Sequence, residues 1–431
     1  MKKNTPIILF MFLFLGLIII FFPQLKNISS QINFLSIFAT KQPTLDSSEA
    51  FYLRQIITAD SSNSRTIMWQ SSLSQPDAFI EYRLKNSTNI NTKSVSNEEF
   101  TDNKQTNYLH KITLTELQPA SSYEYRIGWQ KKLSPWYPLN TASQNNGNFK
   151  AIIFPDSQSS DYSIWQNVAQ EAWASNPNAD FFINMGDLVD NGEDHSQWRA
   201  WFNGVNGIIN KIPFAPVLGN HETYDLNWQI RMPVAYLKLF SLPTNNSSVY
   251  QGQYYSYDYG DVHFVVLNTQ LTEMDRFQPE MLAAQQAWLK NDLANSKQKW
   301  KVVLMHKDPL QYAIKNRPNR LAGISELGKI FMPIFDEFAV DLVLSAHLHT
   351  YRRRTPLKNF QPDLTGSLYI LTGVAGNVRY QNFWEPHPLD AFVAPQPETN
   401  NYLTLERQEQ KLIITAFLPS GTQIDKIELA K

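Results

Sequence analysis

The sequence predicts an all-β domain followed by an α/β domain, and two observations carry that prediction. The stretch from about Leu45 to Thr141 breaks into short apolar runs separated by Ser, Asn and Thr, with no segment long enough for a helix. Further on, five apolar runs each end in a loop bearing Asp, Asn or His: Ile152-Ile153-Phe154 leads to Asp156, Phe181-Phe182-Ile183 to Asp187 and Asp190, Pro216-Val217-Leu218 to Asn220 and His221, Val302-Val303-Leu304 to His306, and Leu342-Val343-Leu344 to His347 and His349. Ligands of open α/β sheets gather outside the carboxyl ends of the strands, where these residues fall.

At the N-terminus, Lys2 and Lys3 precede an uncharged apolar run from Pro6 to Pro23, the layout of a secretory signal. The run also approaches the length of a membrane span, and Asn27-Ile28-Ser29-Ser30 is a weak cleavage signal. Residues 1–27 are therefore read as a signal peptide or an N-terminal anchor held by residues 6–23, and 28–44 as a linker. The expected location is extracytoplasmic, secreted or membrane-anchored. At roughly 100–200 residues per domain, 431 residues leave room for two or three domains. With no cysteine, disulfides and thiolate metal sites are excluded. A net charge of −1 and the lack of a basic patch argue against nucleic-acid binding, and no protein partner follows from the sequence.

Over residues 45–142 the strands read as Tyr52 to Ile57, Thr66 to Trp69, Phe79 to Leu84, Tyr108 to Leu114 and Tyr123 to Ile127, the pattern of a β-sandwich. The segment from Leu117 to Tyr123 resembles the tyrosine corner of fibronectin type III domains, with Trp69 as the core tryptophan and His110 as a structural residue.

Residues 148–431 form the α/β part. Trp165, Val168, Ala169, Ala172 and Trp173 recur at helical spacing, and Asn176-Pro177 ends that helix, giving one βαβ unit. The aromatic stretch Trp198 to Ile212 is expected on the rim of the site, and His195 on the surface. Alternation from Tyr255 to Leu267 reads as a β-meander with His263 paired in the sheet, and helices are expected from Pro279 to Asn295 and from Leu327 to Phe338. The runs at Leu368, Tyr402 and Leu412 are expected to supply a second sheet.

An Asp or Asn after a strand is usually a turn or cap residue, and alternating histidines share a face for ordinary packing reasons. Turn chemistry alone would rarely produce such ends in this order, however. Asp156-Ser-Gln, Gly186-Asp-Leu-Val-Asp-Asn-Gly, Gly219-Asn-His-Glu, His306 and Ala346-His-Leu-His together resemble the calcineurin-like metallophosphoesterases, and the flanks resemble purple acid phosphatases. The resemblance implies a four-layer α/β/β/α sandwich and two divalent or mixed-valence metal ions. It implies Asp187 as the bridge, Asp156 and His349 at the first ion, and Asn220, His306 and His347 at the second. Mixed imidazole and carboxylate ligation suits Fe, Mn or Zn better than Ca or Mg.

Two departures from the family matter. Purple acid phosphatases carry a tyrosine where this chain has Asp190, so their coloured tyrosinate ligand is missing, and Asp190 is expected to orient His221 as the general acid. Gln158 stands where many members have a histidine ligand and offers only a neutral carbonyl oxygen to metal or substrate. The implied activity is hydrolysis of a small phosphoester, a monoester first and a nucleotide or lipid-headgroup diester as the alternative. A non-catalytic cell-surface binding protein is the reading from a different class.

Overall fold

The computed structural model describes residues 45–46, 49–144 and 147–431. The signal or anchor expected over 1–27 lies outside these residues. Among those described, no helix is long and apolar enough to cross a membrane.

Two large sheets face each other. One has seven strands, in the order Tyr255–Tyr259, Val262–Leu267, Trp300–Met305, Leu342–Ser345, Leu368–Thr372, Tyr351–Arg354 and Asp390–Val393. Its central strands alternate: Phe264, Val266, Val302 and Leu304 face the other sheet, while Val265, Leu267, Val303 and Met305 face the helices Met281–Asn295 and Glu326–Glu337. The other sheet packs against it through Phe149 and Phe181, whose rings meet Tyr259 and Phe264. Helices Tyr162–Ser175 and His195–Gly204 cover its outer face, Trp165 against Phe154 and Trp201 against Phe214. The result is a helix–sheet–sheet–helix sandwich with the strand-end loops gathered at one edge.

The N-terminal part is all β. Trp69 is buried in its core, and the Tyr123 hydroxyl accepts a hydrogen bond from the Gln118 amide at 2.9 Å, closing the tyrosine corner. His110 is buried, stacked on Trp69 at 4.9 Å and bonded to Ser71 at 2.8 Å. Burial pushes its pKa down to about 4, so it packs as a neutral ring.

Several expectations need correction. The C-terminal strands do not form a sheet of their own. Leu368–Thr372 joins the seven-stranded sheet, whereas Tyr402–Gln408, Lys411–Phe417 and Gln423–Ala430 extend the other, with Tyr402–Gln408 pairing antiparallel to Phe149–Phe154. Ten strands lie in that second sheet because it also runs into the N-terminal part, where Ile56 pairs with Phe214. An edge strand offers unpaired backbone groups, and the neighbouring domain satisfies them here. Residues 255–267 form a two-stranded hairpin, and Val262–Leu267 then pairs in parallel with Trp300–Met305 instead of continuing a meander. Trp198 and Trp201 are buried, not on the rim: Trp198 donates to the Gly192 carbonyl and Trp201 to the Ser157 hydroxyl, so their helix backs the site from beneath. His195 is half-buried where the two parts meet, bonded to the Asp102 carbonyl at 2.8 Å.

Candidate metal centre

Each strand end delivers its side chain to one point because the strands are parallel and in register. Phe149–Phe154 pairs with Phe181–Asn184, which pairs with Phe214–Pro216, so Asp156, Asp187 and Asn220 emerge side by side. From the facing sheet, Trp300–Met305 and Leu342–Ser345 present His306, His347 and His349. Asp156 is tied in by its carbonyl, which accepts from the amides of Ala375 and Gly376 at 2.8 and 3.0 Å.

Two ligand groups share one residue. The ligand atoms of Asp187, His306 and His347 lie within 4.8 Å of one another, and so do those of Asp156, Asp187 and His349. The Asn220 carbonyl oxygen is 3.1 Å from His306 Nε2, on the side of the first group. Asp187, His347 and His349 all have left-handed backbone, with φ of 47°, 72° and 51°. Such strain in non-glycine residues persists only where the surroundings hold it, commonly at functional sites. Close approach requires glycine on either side: a Cβ at Gly219 would lie 2.2 Å from the Asp187 amide nitrogen, and one at Gly186 would lie 2.4 Å from His306 Nδ1.

Hydrogen bonding from outside fixes how two of the rings face. His306 Nδ1 pairs with the Met185 carbonyl at 2.9 Å and His349 Nδ1 with the Val378 carbonyl at 2.8 Å. A carbonyl only accepts, so each Nδ1 carries the proton and each Nε2 turns a lone pair inward, as metal-ligating histidines do. These lone pairs face more acceptors: His306 Nε2 is 3.1 Å from Asp187, and His349 Nε2 is 2.9 Å from Asp156. His347 Nδ1 and Gln158 Oε1 are buried with no hydrogen-bond partner among the described residues. Apart from the main-chain amides of His221, on Asp187, and of His347, on Asp156, the groups that converge here are acceptors, so the residues present fit metal ions.

The charge around the site is negative enough to favour a cation there, a proton on His306 when no metal competes for its Nε2. Burial opposes a charge on His306, but Asp187 and Asp156 overcome it and push the pKa up to about 9. Burial likewise opposes the Asp187 carboxylate, yet His306 and His221 hold it well below the usual carboxylate range. Burial and the neighbouring His306 hold His347 well below its usual value, leaving it neutral.

His221 and Asp190 meet differently from expectation. The His221 Nδ1 hydrogen bond goes to the Asp190 main-chain carbonyl at 2.6 Å, while the Asp190 carboxylate is 3.5 Å away. The ring is therefore oriented by backbone, and the carboxylate adds charge alone. Burial opposes the imidazolium, but Asp187 and the Asp190 carbonyl outweigh it and raise the His221 pKa. Burial raises the Asp190 pKa.

Sequence reasoning missed Glu222. Its carboxylate is 1% exposed and accepts from the amides of Asp187, Leu188, Val189 and Gly219 at 3.1, 2.7, 3.3 and 2.8 Å. It thus clamps the Asp187 loop to the Asn220 loop. Burial and the Asp187 charge push its pKa up to about 7. The available signal was an acidic residue directly after Asn220-His221. Gln158, by contrast, is tied through its backbone N–H, which donates to the Asp187 main-chain carbonyl at 2.8 Å.

Comparison with known proteins agrees with this architecture. Residues 149–351 match the calcineurin-like phosphoesterase family, and residues 53–141 match the purple acid phosphatase N-terminal domain. The chain is a calcineurin-like metallophosphoesterase with a purple acid phosphatase N-terminal domain. It is similar to purple acid phosphatase 15 of Arabidopsis thaliana, 24% identical over 68% of this chain and 57% of that protein. It is also 24% identical to a probable inactive purple acid phosphatase 1 of the same plant, over 62% of this chain and 49% of the relative, so the chain spans about half to three-fifths of these relatives' lengths. A solved purple acid phosphatase from yellow lupin (Lupinus luteus) seeds shares the fold, with a TM-score of 0.75 at 18% identity over 90% of this chain and 75% of that one.

Proposed function

We propose that this metallophosphoesterase is an exported phosphomonoesterase holding two ions of Fe, Mn or Zn. The observation that carries this reading is that Asp187 belongs to both ligand groups. Asp156, Asp187 and His349 would hold one ion, and Asp187, Asn220, His306 and His347 the other. When bound, such ions supply Lewis acidity towards phosphoryl oxygens and acidify water. The chain's own contribution is position and charge: Glu222 holds the loops so that Asp187 and Asn220 converge, and the backbone at Met185 and Val378 sets the ring faces. His221, its Nδ1 held by a carbonyl, has Nε2 left to present a proton to a departing oxygen. Phosphoryl transfer needs little beyond this positioning and charge neutralisation.

Elemental analysis together with a panel of monoesters and diesters tests the proposal. Two ions per chain and turnover of monoesters are expected; turnover of diesters alone would move the activity to the phosphodiesterase class. A metal-loaded chain that hydrolysed neither would place it with the inactive relatives, against which the intact set of converging acceptors speaks. For export, Lys2, Lys3 and the apolar run Pro6 to Pro23 are the support. N-terminal sequencing of the native protein checks it, since a start near Ser30 or later marks a removed signal and an intact start in the membrane fraction marks an anchor.

A further inference from the structure

Beside the metal centre lies a cavity that the proposed hydrolysis leaves without a role. Its volume is about 530 Å³, and it shares His349 with the centre, a size within the range of small-molecule sites. Tyr351, Phe392, Pro395, Pro397 and Leu418 give it largely apolar walls. Glu398 also lines it. This glutamate is only 4% exposed, yet its Oε2 is buried with no hydrogen-bond partner among the described residues.

Among the described residues, no lysine or arginine lines the cavity. Arg353, over the Phe392 ring at 5.9 Å, is committed to Asp425 at 2.7 and 3.2 Å. The Tyr351 hydroxyl donates to the same Asp425 at 2.9 Å. Asn401 is engaged too, accepting from the Val374 amide at 3.1 Å and donating to the Thr372 carbonyl at 2.7 Å. The wall therefore offers Glu398 no counter-charge, and a buried carboxylate without one is costly. A ligand bringing its own cation would remove that cost, with its hydrocarbon part against the apolar walls and an aromatic ring nearby to favour the charge.

We infer that this cavity binds a small apolar ammonium compound, its cation on Glu398 and its alkyl or aryl body against Phe392, Pro395 and Leu418. Such a group has two sources: the leaving group of an aminoalkyl phosphoester, or a separate effector. Either would border the metal centre, because His349 forms the common wall and Asn401 holds the loop whose Ala375 amide binds Asp156. Binding itself does not depend on the phosphomonoesterase reading and can be read without turnover.

The test is calorimetric titration of the full-length, metal-loaded protein with 2-phenylethylammonium, and with 2-phenylethanol as the uncharged control. The ammonium should bind saturably and roughly 10–100-fold more tightly than the alcohol, the range for a hydrogen bond to a charged group. Glu398→Gln should remove that preference and leave the alcohol unchanged, while Ala394→Phe, which fills the cavity, should abolish binding of both. Thermal melts establish that both variants are folded. Absence of saturable binding to the wild type, equal ammonium affinity in wild type and Glu398→Gln, or unaltered binding to Ala394→Phe would each overturn the inference. Competition then separates the sources. Inhibition by the ammonium that is competitive against an aminoalkyl phosphate and absent with methyl phosphate supports the site as a leaving-group pocket, and an effect on both substrates supports it as an effector site.

Discussion

His263 lies in one strand and His306 directly follows the parallel strand beside it, and both have pKa values pushed up to about 9 against the opposition of burial. Only one belongs to the metal centre. His263 has a carboxylate for each ring nitrogen, Asp258 at 2.7 Å and Asp292 at 2.8 Å, so a proton completes it. His306 has one nitrogen on a carbonyl and the other facing Asp187 and Asn220 oxygens, and beside them His347 Nδ1 has no hydrogen-bond partner among the described residues. A raised pKa thus reports nearby negative charge in both places. The balance of donors and acceptors tells a closed ion pair from a metal site.

The largest effect that would break this contrast is expected at Asp187. Asp187→Asn should lower metal content at both positions, and activity should fall by more than about 10⁴-fold, since a metal's several kcal/mol of transition-state stabilisation converts at about 1.4 kcal/mol per tenfold. Elemental analysis showing loss at a single position would mean that Asp187 is not shared. His221→Ala should keep its metals and cut turnover about 10²–10⁴-fold, the range for one general acid. The loss should shrink with an activated aryl ester, whose leaving group departs unprotonated.

Glu222→Gln replaces one acceptor oxygen with a donor facing backbone amides. A loss of about 10–100-fold in metal affinity or turnover is expected, as for other outer-shell partners, and unaltered metal binding would show that the clamp is dispensable. His263→Leu should instead leave metal content alone and act on stability. Its folded pKa lies above the unfolded value of about 6.5, so its contribution is fully present below that pH and is lost as pH rises through about 9. Melts should therefore show the variant roughly 2–3 kcal/mol less stable near pH 6, with the gap closing near pH 9.5. The smallest effect should come from Asp190→Asn: because the carbonyl of Asp190 holds His221, turnover on an alkyl phosphate should fall by about tenfold or less. A loss equal to that of His221→Ala would restore the carboxylate to the leading role.

The sequence by itself determined the chemistry of the strand ends. Apolar runs closing on Asp156, Asp187, Asn220, His306, His347 and His349 can be read because strand periodicity and ligand type are both side-chain properties. The same holds for Trp69, the tyrosine corner and the helix stopped at Asn176. Tertiary structure alone decided that Met185 and Val378 set the ring faces and that His221 rests on a main-chain carbonyl. Every residue carries such a carbonyl, so no residue type announces it. Glu222 was visible beside His221, but its task required residues 187–189 and 219 to come within hydrogen-bond reach of it. The placing of the C-terminal strands on both sheets was equally hidden, since the apolar alternation of a strand marks which of its faces is buried but not the edge at which it pairs.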